Sequence, residues 1–265
     1  MKILVTGAGG RIGRKIIPLL ANKFEWVLTD REAMEVHDHQ VQALDITNYH
    51  AVLAACVGVD AVLHLAIASI RDIVTDKAKF MADEGEEYLR FNQQAIETNI
   101  RGTYHVFEAA RQAGVSRVVY GSSLTVLWGS PQYETLHDDL PPRPSNFYAV
   151  TKCWGEQLGE YFARAHGLTV YCLRFGTPYP QPEIKESQAW LQAPAGQRSF
   201  VTFEDLAASV EAALALREAP SFGAYTIVSA ADGSIFDYSK AREIGWQPRW
   251  KCEADGRISE ITEMP

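Results

Sequence analysis

The strongest constraint on this fold is a glycine-rich turn near the start of the chain. The apolar run Met1–Thr6 is followed by Gly7, Gly10 and Gly13 in the spacing G-x-x-G-x-x-G, and then by an amphipathic segment. Gly7 permits a tight turn, Gly10 lets the backbone approach a phosphate, and Gly13 lets a helix pack closely on a strand. A strand, a glycine turn and a helix in this order predict a cradle for the pyrophosphate of a dinucleotide.

Strand-like and helical segments alternate along the chain, which predicts a doubly wound parallel sheet of the α/β class. Right-handed crossovers bring the carboxyl ends of all strands to one edge, where ligands bind in such folds. The predicted strands are Lys2–Thr6, Glu25–Thr29, Ala61–Ala66, Arg117–Tyr120 and Leu168–Leu173, and the predicted helices are Arg11–Leu20, Tyr49–Cys56, Phe91–Ala113 and Phe147–His166.

The composition argues against several classes of partner. A net charge of −8 disfavours nonspecific binding to nucleic acid or to an anionic membrane surface. No apolar stretch is long enough to span a bilayer, and the first residues begin a strand rather than a signal peptide, so we expect a cytoplasmic protein. His37 and His39 flank Asp38 without a third ligand in view, so we expect surface histidines and no metal. The scattered cysteines are expected to be reduced thiols: Cys56, Cys153, Cys172 and Cys252.

A tyrosine and a lysine share one face of the helix predicted at Phe147–His166, because Tyr148 and Lys152 are four residues apart. A free tyrosine has a pKa of about 10 and is a poor base at neutral pH, but a nearby ammonium favours the phenolate. Upstream, Ser122 and Ser123 follow a predicted strand. The glycine turn, the serine pair and the Y-x-x-x-K motif, in this order, resemble the extended branch of the short-chain dehydrogenase/reductase superfamily, the NAD-dependent epimerase/dehydratase family. The resemblance covers essentially the whole chain.

The resemblance implies an oxidoreductase and gives the motif residues their roles. Tyr148 would be the acid/base, Lys152 would activate it and bind the nicotinamide ribose, and Ser123 would hold the substrate oxygen. Ser123 matches the family serine because it precedes the x-Thr-Val pair, and Ser122 is the competing assignment. Asn99 resembles the asparagine that supports the active-site lysine in this family.

Asp30 decides the expected cofactor, because it ends the second predicted strand. A carboxylate there accepts hydrogen bonds from the adenosine ribose hydroxyls and repels a 2′-phosphate, which favours NAD over NADP. Arg31 complicates this prediction, since an arginine can pair with a phosphate. The resemblance implies further cofactor contacts: Gly7, Gly9, Gly10, Arg11, Ile12, Gly13, Asp45, Ile46, Leu65, Ala66, Tyr148 and Lys152.

The substrate side resembles the uronate dehydrogenases, which are compact members of the family. Leu173–Pro178 matches their R-x-G-[ST] motif and places Thr177 at their substrate-binding serine. We also expect Thr125 and Lys185 to contact the substrate, together with Ser123. Lysine replaces the arginine of those enzymes and cannot form a bidentate fork with a carboxylate. A sugar, a sugar acid and a polyol all remain candidates. The alternatives are a nucleotide-sugar epimerase or dehydratase with tightly bound NAD, and a non-catalytic NAD(P)-sensing protein.

The resemblance also implies a domain plan and an assembly. We expect a Rossmann-type NAD-binding core over residues 1–176, a substrate-covering loop over 177–198, a return to the core over 199–229 and a small C-terminal cap over 230–265. Ser69–Arg90 is either a solvated segment or a flap over the substrate. A homodimer is expected through Phe91–Ala113 and Phe147–His166.

Overall fold

The computed structural model describes residues 1–69, 73, 85–131, 135–179, 199–216, 220–253 and 258–262. Its strands are β1 Lys2–Thr6, β2 Glu25–Asp30, β3 Met34–Val36, β4 His39–Ala43, β5 Ala61–His64, β6 Arg117–Ser123, β7 Thr169–Phe175, β8 Thr177–Tyr179, β9 Phe200–Thr202, β10 Phe222–Ile227, β11 Ala230–Ala231, β12 Trp250–Cys252 and β13 Ile258–Glu260. Its α-helices are α1 Gly13–Leu19, α2 Tyr49–Cys56, α3 Gly85–Ala95, α4 Thr103–Gln112, α5 Phe147–His166 and α6 Phe203–Ala215.

Within these residues the centre of the fold is an eight-stranded sheet in the order β10-β7-β6-β5-β1-β2-β4-β3. All neighbouring pairs are parallel except the β3–β4 hairpin. The chain leaves β1 towards β2 on one side and later returns to β5 on the other. This reversal leaves a crevice at the carboxyl ends of the strands, where ligands bind in open α/β sheets. The predicted doubly wound parallel sheet is confirmed.

Alternate side chains of each strand enter two separate hydrophobic cores. On β1, Ile3 and Val5 face one core and Leu4 faces the other, as the two-residue period of a strand requires. The first core is closed by α1, by α6 and by the 3₁₀ segment Ser239–Ile244. The second is closed by α2, α4 and α5. Burial on both faces explains why the strands are almost continuously apolar.

Helix α5 has the bounds that the sequence predicts. The Asn146 side chain accepts a hydrogen bond from the Ala149 N–H over 2.9 Å and so caps the first turn. Gly167 ends the helix in the left-handed conformation, with φ of 69°. Both ends are therefore fixed by local chemistry, and Tyr148 is held in the first turn.

Other boundaries differ from those predicted. The helix predicted at Phe91–Ala113 consists of α3, a π-helical segment at Ile96–Gly102, and α4. The β3–β4 hairpin was not predicted, because its strands are short. His37 and Asp38 form its turn with φ of 45° and 64°, which are the positive values that a two-residue hairpin turn requires.

No cluster of potential metal ligands occurs among the described residues, and no helix there is long and apolar enough to cross a membrane.

The C-terminal part of the described chain is tied to α6 through a buried carboxylate. Asp205 accepts hydrogen bonds from Ser229 Oγ and from the Arg249 N–H. The Trp246 indole N–H donates to the carbonyl oxygen of Asp205 over 3.0 Å. These contacts join the start of α6 to Ser229, Trp246 and Arg249. The division of the chain into core, loop and cap remains a prediction.

Candidate active site

A cavity of about 220 Å³ opens at the carboxyl edge of the sheet. Strand β6 ends there at Ser123, Tyr148 lies there in the first turn of α5, and Thr177 lines the cavity shortly after β7. Lys152 lies one turn further along α5 and also lines the cavity. The sheet therefore brings together four of the predicted site residues that are far apart in sequence.

Ser122 and Ser123 have different surroundings, as adjacent residues of a strand should. Ser122 is buried, and its Oγ donates to Glu156 Oε1 over 2.6 Å. Ser123 is half-buried, and it accepts a hydrogen bond from Thr125 Oγ1 over 3.0 Å. Ser123 also acts on the Tyr148 phenol, whose pKa it lowers. This geometry favours Ser123 for holding a substrate oxygen, since Ser122 is already engaged in the interior.

Lys152 is only 2% exposed. Its Nζ donates to the carbonyl oxygen of Gly121 over 2.6 Å and lies 4.8 Å from the centre of the Tyr120 ring. The ring of Tyr148 is 5.7 Å away. Burial lowers the pKa of Lys152 to about 7, and the negative charge of Glu156 opposes that change. The amine can therefore gain or lose a proton near neutral pH.

The phenol of Tyr148 is shifted in the opposite direction. Loss of hydration raises the pKa of Tyr148 to about 12, and its hydrogen bond with Ser123 partly offsets that rise. In the polypeptide alone burial is the dominant influence on the pKa of Tyr148, and it acts against the lowering expected from a neighbouring ammonium. At neutral pH Tyr148 keeps its proton, which is the form that donates to a carbonyl oxygen.

A buried ionic network lies beside the cavity, and the sequence analysis missed it. The Arg174 guanidinium donates to Glu156 Oε1 and Oε2 over 3.0 and 2.8 Å, and to the carbonyl oxygen of Asp138 over 2.9 Å. Asp138 in turn accepts from the Thr226 N–H and Oγ1 over 2.9 and 2.7 Å. The network joins α5 to β7 and β10. Glu156 follows Lys152 by four residues, so the sequence places it on the same face of α5 but does not identify Arg174 as its partner.

Asn99 supports the catalytic helix indirectly. It lies in the π-helical segment, and its Oδ1 accepts from the Ala68 N–H over 2.8 Å. Its Nδ2 donates to Thr151 Oγ1 over 3.0 Å. Thr151 directly precedes Lys152. Asn99 thus connects the segment after β5 to α5 through one hydrogen bond at each end of its amide.

The glycine turn has the close backbone approaches that a dinucleotide cradle requires. A Cβ at Gly7 would lie 2.5 Å from the backbone nitrogen of Ala66, and one at Gly13 would lie 2.4 Å from the carbonyl oxygen of Ala8. Gly7 also has a φ of 79°, which side chains disfavour. A Cβ at Gly10 would have one neighbour within 4 Å among the described residues, the Gly7 carbonyl oxygen at 3.1 Å, so the described structure leaves open space at this position. These features fit a bound pyrophosphate.

Asp30 lies beside this turn at the end of β2. Its Oδ2 accepts from the Gly9 N–H over 2.8 Å, and its Oδ1 accepts from the Arg31 N–H over 2.7 Å. The Arg31 side chain is exposed and lies 3.7 Å from the carboxylate of Glu32. The position of Asp30 fits a contact with the adenosine ribose.

The remaining predicted cofactor residues fall into two groups. Ile12 and Leu65 line the cavity, and the Arg11 guanidinium donates to the Pro178 carbonyl oxygen over 2.5 Å. Asp45 and Ile46 lie further along the same edge, after β4, and do not line the cavity. Asp45 caps its own turn by accepting from the N–H and Oγ1 of Thr47, both over 2.8 Å, and Ile46 is buried in the second core.

The predicted substrate residues Thr125 and Thr177 both line the cavity. Lys185 lies outside the described residues. Ser199 and Trp128 are among the wall residues that were not predicted from the sequence. Ser199 accepts the Thr177 N–H at its carbonyl oxygen over 2.6 Å, which places it next to a predicted contact.

Comparison with known proteins agrees with this geometry. The model of the NAD-dependent epimerase/dehydratase family matches residues 3–190. The chain belongs to the NAD-dependent epimerase/dehydratase family. The predicted family, Rossmann-type fold, enzyme class and NAD cofactor are thereby confirmed.

The chain is similar to several sugar oxidoreductases along most of its length. It is 26% identical to a uronate dehydrogenase of Pseudomonas syringae, covering 99% of this chain and 83% of that protein. It is 30% identical to an L-arabinose 1-dehydrogenase (NAD(P)(+)) of Haloferax volcanii, covering 94% of this chain and 96% of that protein. The solved structure of a uronate dehydrogenase mutant from Agrobacterium tumefaciens, complexed with NAD, has a TM-score of 0.76 at 27% identity, covering 96% of this chain and 86% of that one.

Proposed function

We propose that this protein is an NAD-dependent dehydrogenase that oxidises a hydroxyl group of a small sugar or sugar acid, or reduces the corresponding carbonyl. The observation that carries this proposal is the convergence of Ser123, Tyr148 and Lys152 on one cavity next to the glycine turn. The similarity to uronate and arabinose dehydrogenases supports a sugar-like substrate.

In the proposed reaction NAD⁺, when bound, supplies the hydride acceptor. Ser123 orients the substrate hydroxyl by hydrogen bonding. Oxidation requires that the Tyr148 phenol, which holds its proton in the polypeptide alone, first release that proton to solvent. Its phenolate oxygen then takes the hydroxyl proton as the substrate carbon gives up its hydride to the bound NAD⁺, so the C–H bond breaks as the carbonyl forms. Lys152 stabilises the phenolate through its charge. In the reverse direction the protonated phenol returns the proton to the carbonyl oxygen.

Replacing Tyr148 by Phe tests the mechanism. Turnover should fall by roughly 10²–10⁴-fold, because the acid/base is lost while the ring remains. The assay follows NADH formation with sugars and sugar acids, and NADH titration by fluorescence checks that the cofactor still binds. Release of NADH into solution would also separate a dehydrogenase from an epimerase, which reoxidises its cofactor.

Two outcomes would contradict the proposal. Full activity of Tyr148→Phe would remove Tyr148 from the chemistry. Absence of NADH formation by the wild-type protein with any sugar, sugar acid or polyol, together with conversion of a nucleotide sugar, would favour the epimerase alternative. A matched control is Tyr161→Phe, because Tyr161 lies on the same helix, is 47% exposed and does not line the cavity.

The position of Asp30 beside the Gly9 amide supports a preference for NAD over NADP. A 2′-phosphate would approach this carboxylate and be repelled. Asp30 is therefore the residue on which the cofactor preference of this proposal depends.

We also propose a homodimer in the cytoplasm. Exposed apolar side chains follow one stripe of α5, at Val150, Trp154 and Tyr161, and a second group extends along α3 to α4 at Leu89, Ile96 and Tyr104. Burying such stripes against a second copy would remove apolar surface from water. Sedimentation velocity that finds only a monomer would refute the dimer.

The state of the cysteines supports the proposed cytoplasmic location. The four free cysteines, three of them buried, fit a reducing compartment.

A further inference from the structure

We infer that His64 is a positioning residue for the cofactor, because its side chain joins the strand that enters the glycine turn to helix α4 and so fixes where the turn lies. This inference rests on the proposed dehydrogenase function and adds a residue to its NAD site. His64 ends β5, is 1% exposed and does not line the cavity. Any effect of His64 on NAD must therefore pass through the residues that it contacts.

Two buried hydrogen bonds hold the imidazole of His64. Its Nδ1 lies 2.7 Å from Thr6 Oγ1, and its Nε2 lies 3.0 Å from Thr103 Oγ1. Thr6 ends β1 and Thr103 begins α4, and both are buried. A neutral imidazole has one donor and one acceptor, so it satisfies two hydroxyl groups at once. The ring thus bridges two elements that are far apart in sequence.

The glycine turn begins directly after Thr6, and three contacts hold this point against the end of β5. The Leu65 N–H donates to the Thr6 carbonyl oxygen over 2.9 Å, and Thr6 Oγ1 pairs with His64. Gly7 packs so closely on Ala66 that a Cβ there would lie 2.5 Å from the Ala66 nitrogen. Of these three contacts, the one with His64 joins two side chains, so a substitution can remove it and leave the backbone contacts in place.

The other end of the bridge lies on the side of the catalytic helix. Thr103 directly follows the π-helical segment that carries Asn99, and the Asn99 amide donates to Thr151 on α5. His64 therefore lies between the turn that fits a pyrophosphate and the helix that carries the acid/base. A shift of the turn relative to α5 would displace NAD from its binding groups, and the bridge opposes that shift.

His64 makes this bridge as an uncharged ring. Burial lowers the pKa of His64 to about 3, and the positive charge of Lys152 acts in the same direction. The Tyr120 ring lies near both groups, with its centre 5.6 Å from that of the His64 ring and 4.8 Å from Lys152 Nζ. A neutral imidazole adds no positive charge beside the lysine. His64 therefore contributes geometry at neutral pH and takes no part in proton transfer.

Three variants of His64 test the inference, because they keep different ends of the bridge. His64→Asn has a polar atom where Nδ1 lies and can keep the contact with Thr6, His64→Gln reaches towards Thr103 instead, and His64→Leu loses both contacts. We expect the Leu and Gln variants to raise the dissociation constant of NADH and KM for NAD about tenfold or more, and the Asn variant to stay within about threefold of the wild type. In all three, kcat should change less than KM.

NADH affinity is measured by fluorescence in the absence of sugar, so this result does not depend on turnover. Equal NADH affinities of the Asn and Gln variants, or a weaker Asn variant, would overturn the inference. Failure of the wild type to oxidise any sugar, with NADH still bound, would contradict the dehydrogenase proposal and leave the positioning role of His64 to be decided by the binding data. Absence of NADH binding by the wild type would overturn both.

Thr6→Val tests the same contact from the other side and decides the question if the His64 variants do not fold. Thr29→Val is the matched control, since Thr29 is the buried neighbour of Thr6 on β2 and its Oγ1 donates to the Val5 carbonyl oxygen over 2.8 Å. Each variant loses one buried hydroxyl, so both should lower the free energy of unfolding. Only Thr6→Val should weaken NADH binding, by about tenfold. Equal NADH affinities of the two threonine variants would overturn the positioning role.

Discussion

Lys152 and Arg174 are both buried cations next to the active-site cavity, but the protein holds them in opposite ways. Lys152 has a single carbonyl oxygen and the face of Tyr120 as its nearest partners. Arg174 donates to the carboxylates of Glu156 and Asp138. One cation is therefore left without a direct carboxylate partner, and the other is compensated by two.

The difference separates a group that can exchange protons from a group that cannot. Burial lowers the pKa of Lys152 to about 7. Burial alone would also lower the pKa of Arg174, but hydrogen bonding and attraction to Glu156 and Asp138 raise it above its usual value. A titratable cation suits a role beside Tyr148, whereas a permanently charged one suits a structural role between helix and sheet.

Removing each cation in turn should give the largest contrast. Lys152→Met should lower kcat by about 100-fold or more without lowering the free energy of unfolding, because a buried amine that has no direct carboxylate partner is replaced by an apolar chain. Arg174→Met should lower the free energy of unfolding by about 3–5 kcal/mol, because Glu156 and Asp138 become unpaired. Denaturant unfolding and NADH formation measure the two effects.

The double variant Arg174→Met with Glu156→Leu is the control for that experiment. It removes the guanidinium together with its bidentate partner, so it should recover part of the stability lost in Arg174→Met. If Lys152→Met were instead the more destabilised of the two single variants, the contrast between the cations would be wrong.

The pH dependence of the free energy of unfolding should also distinguish Lys152 from Arg174, with a smaller effect than the substitutions have. Between the pKa of about 7 in the folded state and the ordinary value of 10.5, unfolded chains hold a proton on Lys152 that folded ones lack. The free energy of unfolding of the wild type should therefore rise with pH in this window relative to Lys152→Met, by at most about 1.4 kcal/mol per pH unit. Below pH 7 the difference in free energy of unfolding between the wild type and Lys152→Met should not change with pH.

Chemical denaturation of the two proteins at intervals from pH 6 to pH 10 provides the measurement. A difference that stayed level across this range would mean that the pKa of Lys152 is not lowered by burial. Arg174 has no corresponding window, since its guanidinium keeps its proton throughout.

The sequence predicts the active components of this site better than the supporting ones. Tyr148, Lys152 and Ser123 belong to short motifs, and the caps of α5 at Asn146 and Gly167 are local signals. The partnership of Arg174 with Glu156 could not be predicted in the same way. It depends on α5 packing across β6 and β7, and no local pattern reports that contact.

The choice between the adjacent residues Ser122 and Ser123 also depends on contacts that the sequence does not show. The sequence alone favours Ser123 over Ser122 only by resemblance, whereas the structure gives a physical reason, namely the hydrogen bond from Ser122 to Glu156. The π-helical turn that carries Asn99 also has no clear sequence signal. Within this turn Asn99 contacts Ala68 and Thr151, which are distant from it in sequence.

The smallest expected effect concerns the ring beneath Lys152. The Tyr120 hydroxyl is buried without a hydrogen-bond partner among the described residues, and a Cβ at Gly155 would lie 2.4 Å from it. Tyr120→Phe should therefore change the free energy of unfolding by less than about 1 kcal/mol, and neutral or stabilising values are expected. Tyr120→Leu removes the face that stabilises the ammonium, so it should lower the pKa of Lys152 further and extend the stability window below pH 7. Denaturation curves at several pH values distinguish the two variants. If the free energies of unfolding of the Phe and Leu variants had the same pH dependence, the ring face of Tyr120 would not contribute to the pKa of Lys152. Burial alone would then explain why the pKa of Lys152 is lowered while that of Arg174 is raised.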